Sequence, residues 1–118
     1  MPFEVIESSR GLVIVRIKGE LKKSELDQIQ TLAIEVIKQW GKIRVLIVLE
    51  DFQGWERGEN WGDITFAVEH DNDIEKIALV GDESWKELVL VFLGKPFRKF
   101  PIEYFTPVQL DMAKAWIS

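Results

Sequence analysis

The ionisable side chains that lie close enough in sequence to act together are Glu50, Asp51, Glu56, Glu59 and Asp63. Neighbouring carboxylates can hold a hard cation or split their pKa values for acid–base work. These follow no calcium-loop spacing, and glycines and aromatics stand between them, so solvated loop charge is the stronger reading. We expect no metal. His70 is the one histidine. Near the end of a helical stretch it suits the dipole and the last-turn carbonyls better than catalysis, because a base needs a nucleophile and an orienting acid. Ser84 and Thr65 have no motif that would make either one a nucleophile. Gly54-x-x-x-Gly58 lacks the Gly-Lys-Ser/Thr of a phosphate cradle. With no cysteine there is no thiol nucleophile, disulfide or zinc knuckle. The chain is expected to be no enzyme and to carry no cofactor.

What stands out instead is apolar. Phe52, Trp55 and Trp61 bracket Gly54 and Gly58 directly after the run Val45–Leu49. A buried strand ending in a loop of large aromatics is where an α/β fold presents a binding surface. The loop reads equally as a moving lid and as a flap folded onto the core. The second feature is Leu88-Val-Leu-Val-Phe-Leu93. As a helix it is apolar all round, and its far side then needs cover from a partner copy, a lipid surface or an internal ligand. Burying two or three such side chains is worth roughly 4–8 kcal/mol before ordering costs.

The elements that must position these residues follow from periodicity. Phe3–Glu7 alternates like a half-buried strand, Ser8-Ser-Arg-Gly11 supplies a turn, and Leu12–Lys18 is β-branched, which together make a hairpin. Ser24 with Asp27 forms a capping box for a helix that ends at Gly41. Its stripe is Leu26, Ile29, Leu32, Ala33, Val36, Ile37 and Trp40. Ile43–Leu49 reads as a strand covered on both faces. Asn60 caps a second helix to His70, with Trp61, Ile64, Ala67 and Val68 turned inward, and Asp71-Asn-Asp73 breaks it. Ile77–Val80 is a further strand. Ser84 caps a third helix, Trp85–Leu93, and Phe100–Phe105 is a last strand that Pro101 marks as an edge. Thr106-Pro-Val-Gln109 is a capping box opening a helix to Ile117. The order ββαβαβαβα implies an α/β fold with a mixed, mostly parallel sheet of five strands and four helices.

Size and charge narrow the classes. One hundred and eighteen residues make one domain, spanning 1–118. A net charge of −5 argues against nucleic acid, since phosphate neutralisation needs clustered cations. The tightest basic group, Lys95-Pro-Phe-Arg-Lys99, reads as a solvated turn, with anionic headgroups as the alternative. The N-terminal residues lack a secretory pattern and no run is long enough for a membrane span, so a cytoplasmic location is expected.

Three strings in order, Val45–Trp55, Ile77–Asp82 followed by Trp85, and Glu103–Phe105 before Ala113–Trp116, resemble the SpoIIAA-like family, whose fold is that of STAS domains. The resemblance spans nearly the whole chain. It implies a non-enzymatic domain, often dimeric, that takes up an apolar ligand or associates with membranes, and a fold similar to SEC14-type (CRAL-TRIO) lipid carriers. In regulatory STAS proteins a serine in an Asp-Ser-Ser/Thr-Gly turn is phosphorylated, which switches partner binding. Here the turn is Asp51-Phe52-Gln53-Gly54, with Phe52 in the serine's place and Gln53 unable to accept phosphate, which excludes that switch at this turn.

The resulting expectation is a binding module with an apolar cleft between the second and third helices. Phe52, Trp55 and Trp61 form its lid, and Phe66, Trp85, Leu88, Val89 and Phe92 line it. Its ligand is lipid-like or small and apolar. A homodimer and peripheral membrane contact accompany it, with a STAS-type protein partner as the alternative.

Overall fold

The computed structural model describes residues 3–59, 61 and 65–118. Two strands, β1 (Phe3–Ser9) and β2 (Leu12–Lys18), pair antiparallel. Ser9 faces Leu12 across a two-residue turn, so Arg10 (φ 52°) and Gly11 (φ 79°) both take the left-handed backbone that matches strand twist in such turns. Gly11 is also required sterically, because a Cβ there would lie 2.8 Å from the Lys42 carbonyl oxygen.

After this hairpin come α1 (Lys23–Trp40), β3 (Ile43–Glu50), α2 (Thr65–His70), β4 (Ile74–Val80), α3 (Lys86–Leu93), β5 (Ile102–Phe105) and α4 (Leu110–Ile117). The sheet runs β1-β2-β3-β4-β5, and every pairing after the hairpin is parallel. The five strands and four helices are those the periodicity predicts. Parallel crossovers are almost always right-handed, and three made in the same direction put their helices on one face. The packing agrees. Val13, Val15, Val45, Ile77 and Leu79 of the sheet meet Ala33, Val36 and Ile37 of α1 and Val89 of α3 in one core. Ile14, Leu46, Ala78 and Val80 point the other way, onto Ala113 and Ile117 of α4. Alternating strand positions thus serve two cores, which is why β3 reads as continuously apolar.

α4 is held at both ends. Its first turn uses the predicted box, with the Thr106 N–H donating to Gln109 Oε1 at 2.9 Å. At its other end Arg44 donates to the Ile117 carbonyl at 2.9 Å and Lys76 to that of Trp116, so two cations meet the negative end of the helix.

Several local expectations are corrected. α1 starts one residue before Ser24, and its capping carboxylate is Glu25, which accepts the Lys22 N–H at 2.7 Å and is buried. Asp27 pairs with Lys23 instead. Trp40 leaves the predicted stripe: it is 51% exposed, beside the Gly11 turn rather than over the sheet. Val68 is 74% exposed, because α2 is a turn and a half that turns Phe66 and Ala67 toward the core side. The expected cap at Asn60 and the inward Ile64 lie outside the described residues. Asp82, not Ser84, caps the turn before α3, its carboxylate accepting the Ser84 N–H at 2.9 Å. The Ser84 hydroxyl and this N–H together hold the Asp82 carboxyl below its ordinary pKa. β4 begins at Ile74, three residues before its predicted start, and β5 begins at Ile102.

A candidate functional site beneath three helices

On the three-helix side lies a cavity of about 180 Å³. Its floor is the β-branched ladder Val13, Ile43, Val45, Ile47, Ile74 and Ile77. Leu26, Ile29 and Ala33 of α1 form one wall, Phe66 and Ala67 of α2 with Phe92 and Leu93 of α3 the other, and Trp61 the roof. The void has a local cause. Ala33 and Ala67 put methyl groups where longer side chains would fill the space. A dry void forfeits the dispersion contacts of its walls, so filling it with apolar matter is favourable. Larger grooves along the outer face of α1 (about 380 Å³) and at the strand ends near Asp51 and Asp82 (about 560 Å³) are more open to solvent and carry carboxylates on their walls.

Behind the roof the aromatics form a continuous cluster. Phe52 meets Trp55 edge-on at 5.2 Å and Trp85 at 4.9 Å, Trp55 meets Phe92 at 5.0 Å, and Phe92 meets Trp61 at 5.6 Å. Such contacts add to the area they bury. The segment carrying Phe52 and Trp55 is zipped to the chain between β2 and α1. Gln53 N–H donates to the Gly19 carbonyl (3.0 Å), Leu21 N–H to that of Gly54 (2.9 Å) and Glu56 N–H to that of Leu21 (2.9 Å). This prolongs the β2–β3 ladder beyond the strands. Of the two readings of the loop, folded wall rather than moving lid fits residues 52–56. Trp61 is tied to the same segment, its indole N–H donating to the Glu56 carbonyl at 2.7 Å.

The mouth carries the polar groups. Arg98 takes both Asp71 carboxylate oxygens at 3.0 Å through Nε, brings Nη2 to 2.8 Å of one of them, and donates through Nη1 to the Leu93 carbonyl at 2.8 Å. Its guanidinium also lies 4.9 Å from the Phe100 ring centre. This joins the ends of α2 and α3. The basic turn read as solvated is therefore corrected at Arg98, whose side chain is only 15% exposed, while Lys95 and Lys99 are exposed. His70 stacks beside Phe66 and sets Nδ1 3.3 Å from the Asp73 carboxylate. Glu50 pairs with Arg16 and Lys18. Glu56 accepts the Lys23 N–H, and Asp63 lies outside the described residues. Among the described residues no group of three His, Asp or Glu side chains is placed to hold a metal, and no helix is long and apolar enough to cross a membrane.

Of the residues singled out from sequence, Trp61, Phe66 and Phe92 line the cavity. Phe52, Trp55 and Trp85 back it as its aromatic wall, and Val89 is core at 4% exposure. Leu88 does not join them: it faces outward at 56% exposure, with Val91 at 74%. The cleft also differs in place, lying between α1 and the α2–α3 pair over the sheet. The α1 residues Leu26 and Ile29 were legible only as a core stripe, and Arg98 carried no sequence signal beyond its neighbouring lysines.

A sheet in sequential order with three helices on one face and one on the other, entered by an N-terminal hairpin, defines a STAS-type domain. The chain belongs to the SpoIIAA-like family, whose model matches residues 12–118. Among solved structures, one similar in fold is an uncharacterised protein with a SpoIIAA-like fold from Shewanella loihica (17% identity, 98% of this chain and 92% of that one, TM-score 0.71). The anti-sigma factor antagonist SpoIIAA in its unphosphorylated form is another (14% identity, 97% of each chain, TM-score 0.62). The Bacillus cell fate determinant SpoIIAA in its phosphorylated form is a third (18% identity, 93% and 96%, TM-score 0.52). A comparison with curated proteins finds no match.

Proposed function

We propose that this domain works without catalysis, as a binding module that takes a small apolar ligand into the cavity between α1 and the α2–α3 pair. The observation that carries this reading is the void itself: about 180 Å³, floored by β-branched side chains, walled by Phe92 and roofed by Trp61. A comparable apolar void of ~150 Å³ in another protein stays dry and takes up benzene or xenon. The size suits a single aromatic ring or a short alkyl chain rather than a whole lipid. Native mass spectrometry of the purified chain, with and without benzene or hexanol, tests it. Stoichiometric uptake is expected, and a protein indifferent to both compounds refutes it.

A second reading, a regulatory interaction module in the manner of the anti-sigma factor antagonist, is favoured by the outer side of α3. Leu88 (56%) and Val91 (74%) are exposed there, and Phe97 just beyond the helix is 90% exposed. Burying Leu88 and Val91 returns roughly 3–6 kcal/mol, against association costs of about 4–15 kcal/mol. Those two side chains alone do not hold a stable dimer, and this face serves a transient contact with a second copy, a partner protein or a bilayer. Sedimentation of the chain alone and with anionic vesicles separates these. A monomer that ignores vesicles leaves the partner protein.

A further inference from the structure

We propose, building on the cavity reading above, that the preferred ligand is a compact apolar carboxylic acid, its tail in the void and its carboxylate on Arg98.

Gln30 and Arg98 are the polar side chains among the lining residues, apart from the Trp61 indole. The Trp61 N–H is already spent on the Glu56 carbonyl. Arg98 is therefore the charged side chain among the described lining residues, while Asp71, which neutralises it, is not one of them. A guanidinium has five N–H donors. Asp71 takes Nε and one hydrogen of Nη2, and the Leu93 carbonyl takes one hydrogen of Nη1. One donor is left on each terminal nitrogen, enough for a charge-assisted contact with a ligand carboxylate. The Arg98 fork is held on three sides, by Asp71, by the Leu93 carbonyl and by the Phe100 ring. Little side-chain freedom remains to be lost when a ligand binds. An amine would meet this cation unfavourably, and an alcohol can use the neutral amide of Gln30 without the charge.

The test compares hexanoate with hexanol, which share a tail and differ at the head. The full chain is titrated with each, and the Trp61 indole N–H is followed by NMR. Hexanoate is expected to bind roughly tenfold more tightly, about what one charge-assisted contact contributes when the cation is already paired. Arg98→Met should bring hexanoate to the level of hexanol without weakening hexanol. Should that variant fail to fold, Asp71→Asn replaces it and must tighten hexanoate while leaving hexanol unchanged. Equal binding of the two compounds, or a preference for hexanol, overturns the acid assignment and leaves the cavity reading intact. Binding of neither overturns both.

Discussion

Trp85 lies so close over Gly54 that a Cβ there would sit 3.3 Å from the indole ring. Gly54 also has φ +94°, a backbone that side chains resist. Trp85 cannot readily retreat, since Phe52 holds it edge-on at 4.9 Å and Trp55 at 6.0 Å. Gly54→Ala should cost about 1–3 kcal/mol, combining backbone strain with crowding. Urea unfolding measures this, and an unchanged midpoint would mean that the aromatic wall is soft.

By the sequence resemblance, Phe52 takes the place of the phosphorylated serine of regulatory STAS proteins, and here it is 8% exposed. Restoring the hydroxyl by Phe52→Ser should cost about 3–5 kcal/mol, as other large core truncations do. The variant should therefore be a poor kinase substrate when folded. Ready phosphorylation of a variant with wild-type stability would show that the turn is not part of the core.

Ala67 offers a direct way to fill the cavity. Ala67→Leu should leave stability unchanged or raise it by about 1 kcal/mol, while abolishing uptake of benzene and hexanol. Thermal denaturation and ligand titration on the same sample check both halves. Undiminished uptake would move the ligand elsewhere.

Tyr104 is the single tyrosine, so its titration is unambiguous. Burial, with a contribution from the Asp82 charge, pushes its pKa from the ordinary 10.0 up to about 12. Its hydroxyl donates to the Asp82 carbonyl at 2.7 Å, a bond that only the protonated form makes. Because the folded value is the higher one, the stabilisation is complete below pH 10 and fades as the pH rises toward 12. Tyrosinate absorbance should therefore appear near pH 12 in the native protein. Tyr104→Phe should remove that part of the alkaline loss of stability. Ionisation near 10 would rule this out.

The outer face of α3 is testable without touching the cavity. Leu88→Lys with Val91→Lys should keep the fold, since both side chains point to solvent, and shift stability by less than about 0.5 kcal/mol each. Any self-association or vesicle binding of the wild type should vanish, as sedimentation would reveal. A variant that still associates would place the contact elsewhere.

The sequence was informative wherever one periodicity governed. The alternation of β2, the unbroken apolar run of β3, the Thr106–Gln109 box and the helical stripe of α1 each had one reading, and together they implied a mixed, mostly parallel sheet. It was less informative where two local solutions competed. Ser24 and Ser84 looked like caps, but the buried Glu25 and the carboxylate of Asp82 won those positions. Lys95–Lys99 read as one solvated turn because nothing in the string marks Arg98 as reaching back to Asp71, 27 residues earlier. The cavity was invisible for a related reason. A void is made by what α1, α2 and α3 fail to fill together, and no single segment records it. Leu88 was misplaced because a helix apolar all round gives no hint of which side faces in.

One face of the sheet depends on α4 alone. A folding chain that has assembled β1 through β5 before α4 docks would present Ile14, Leu46, Ala78 and Val80 uncovered. Those residues would form a bare greasy plane on an otherwise assembled scaffold. That exposure to aggregation ends only when α4 docks and Arg44 and Lys76 clasp its final carbonyls.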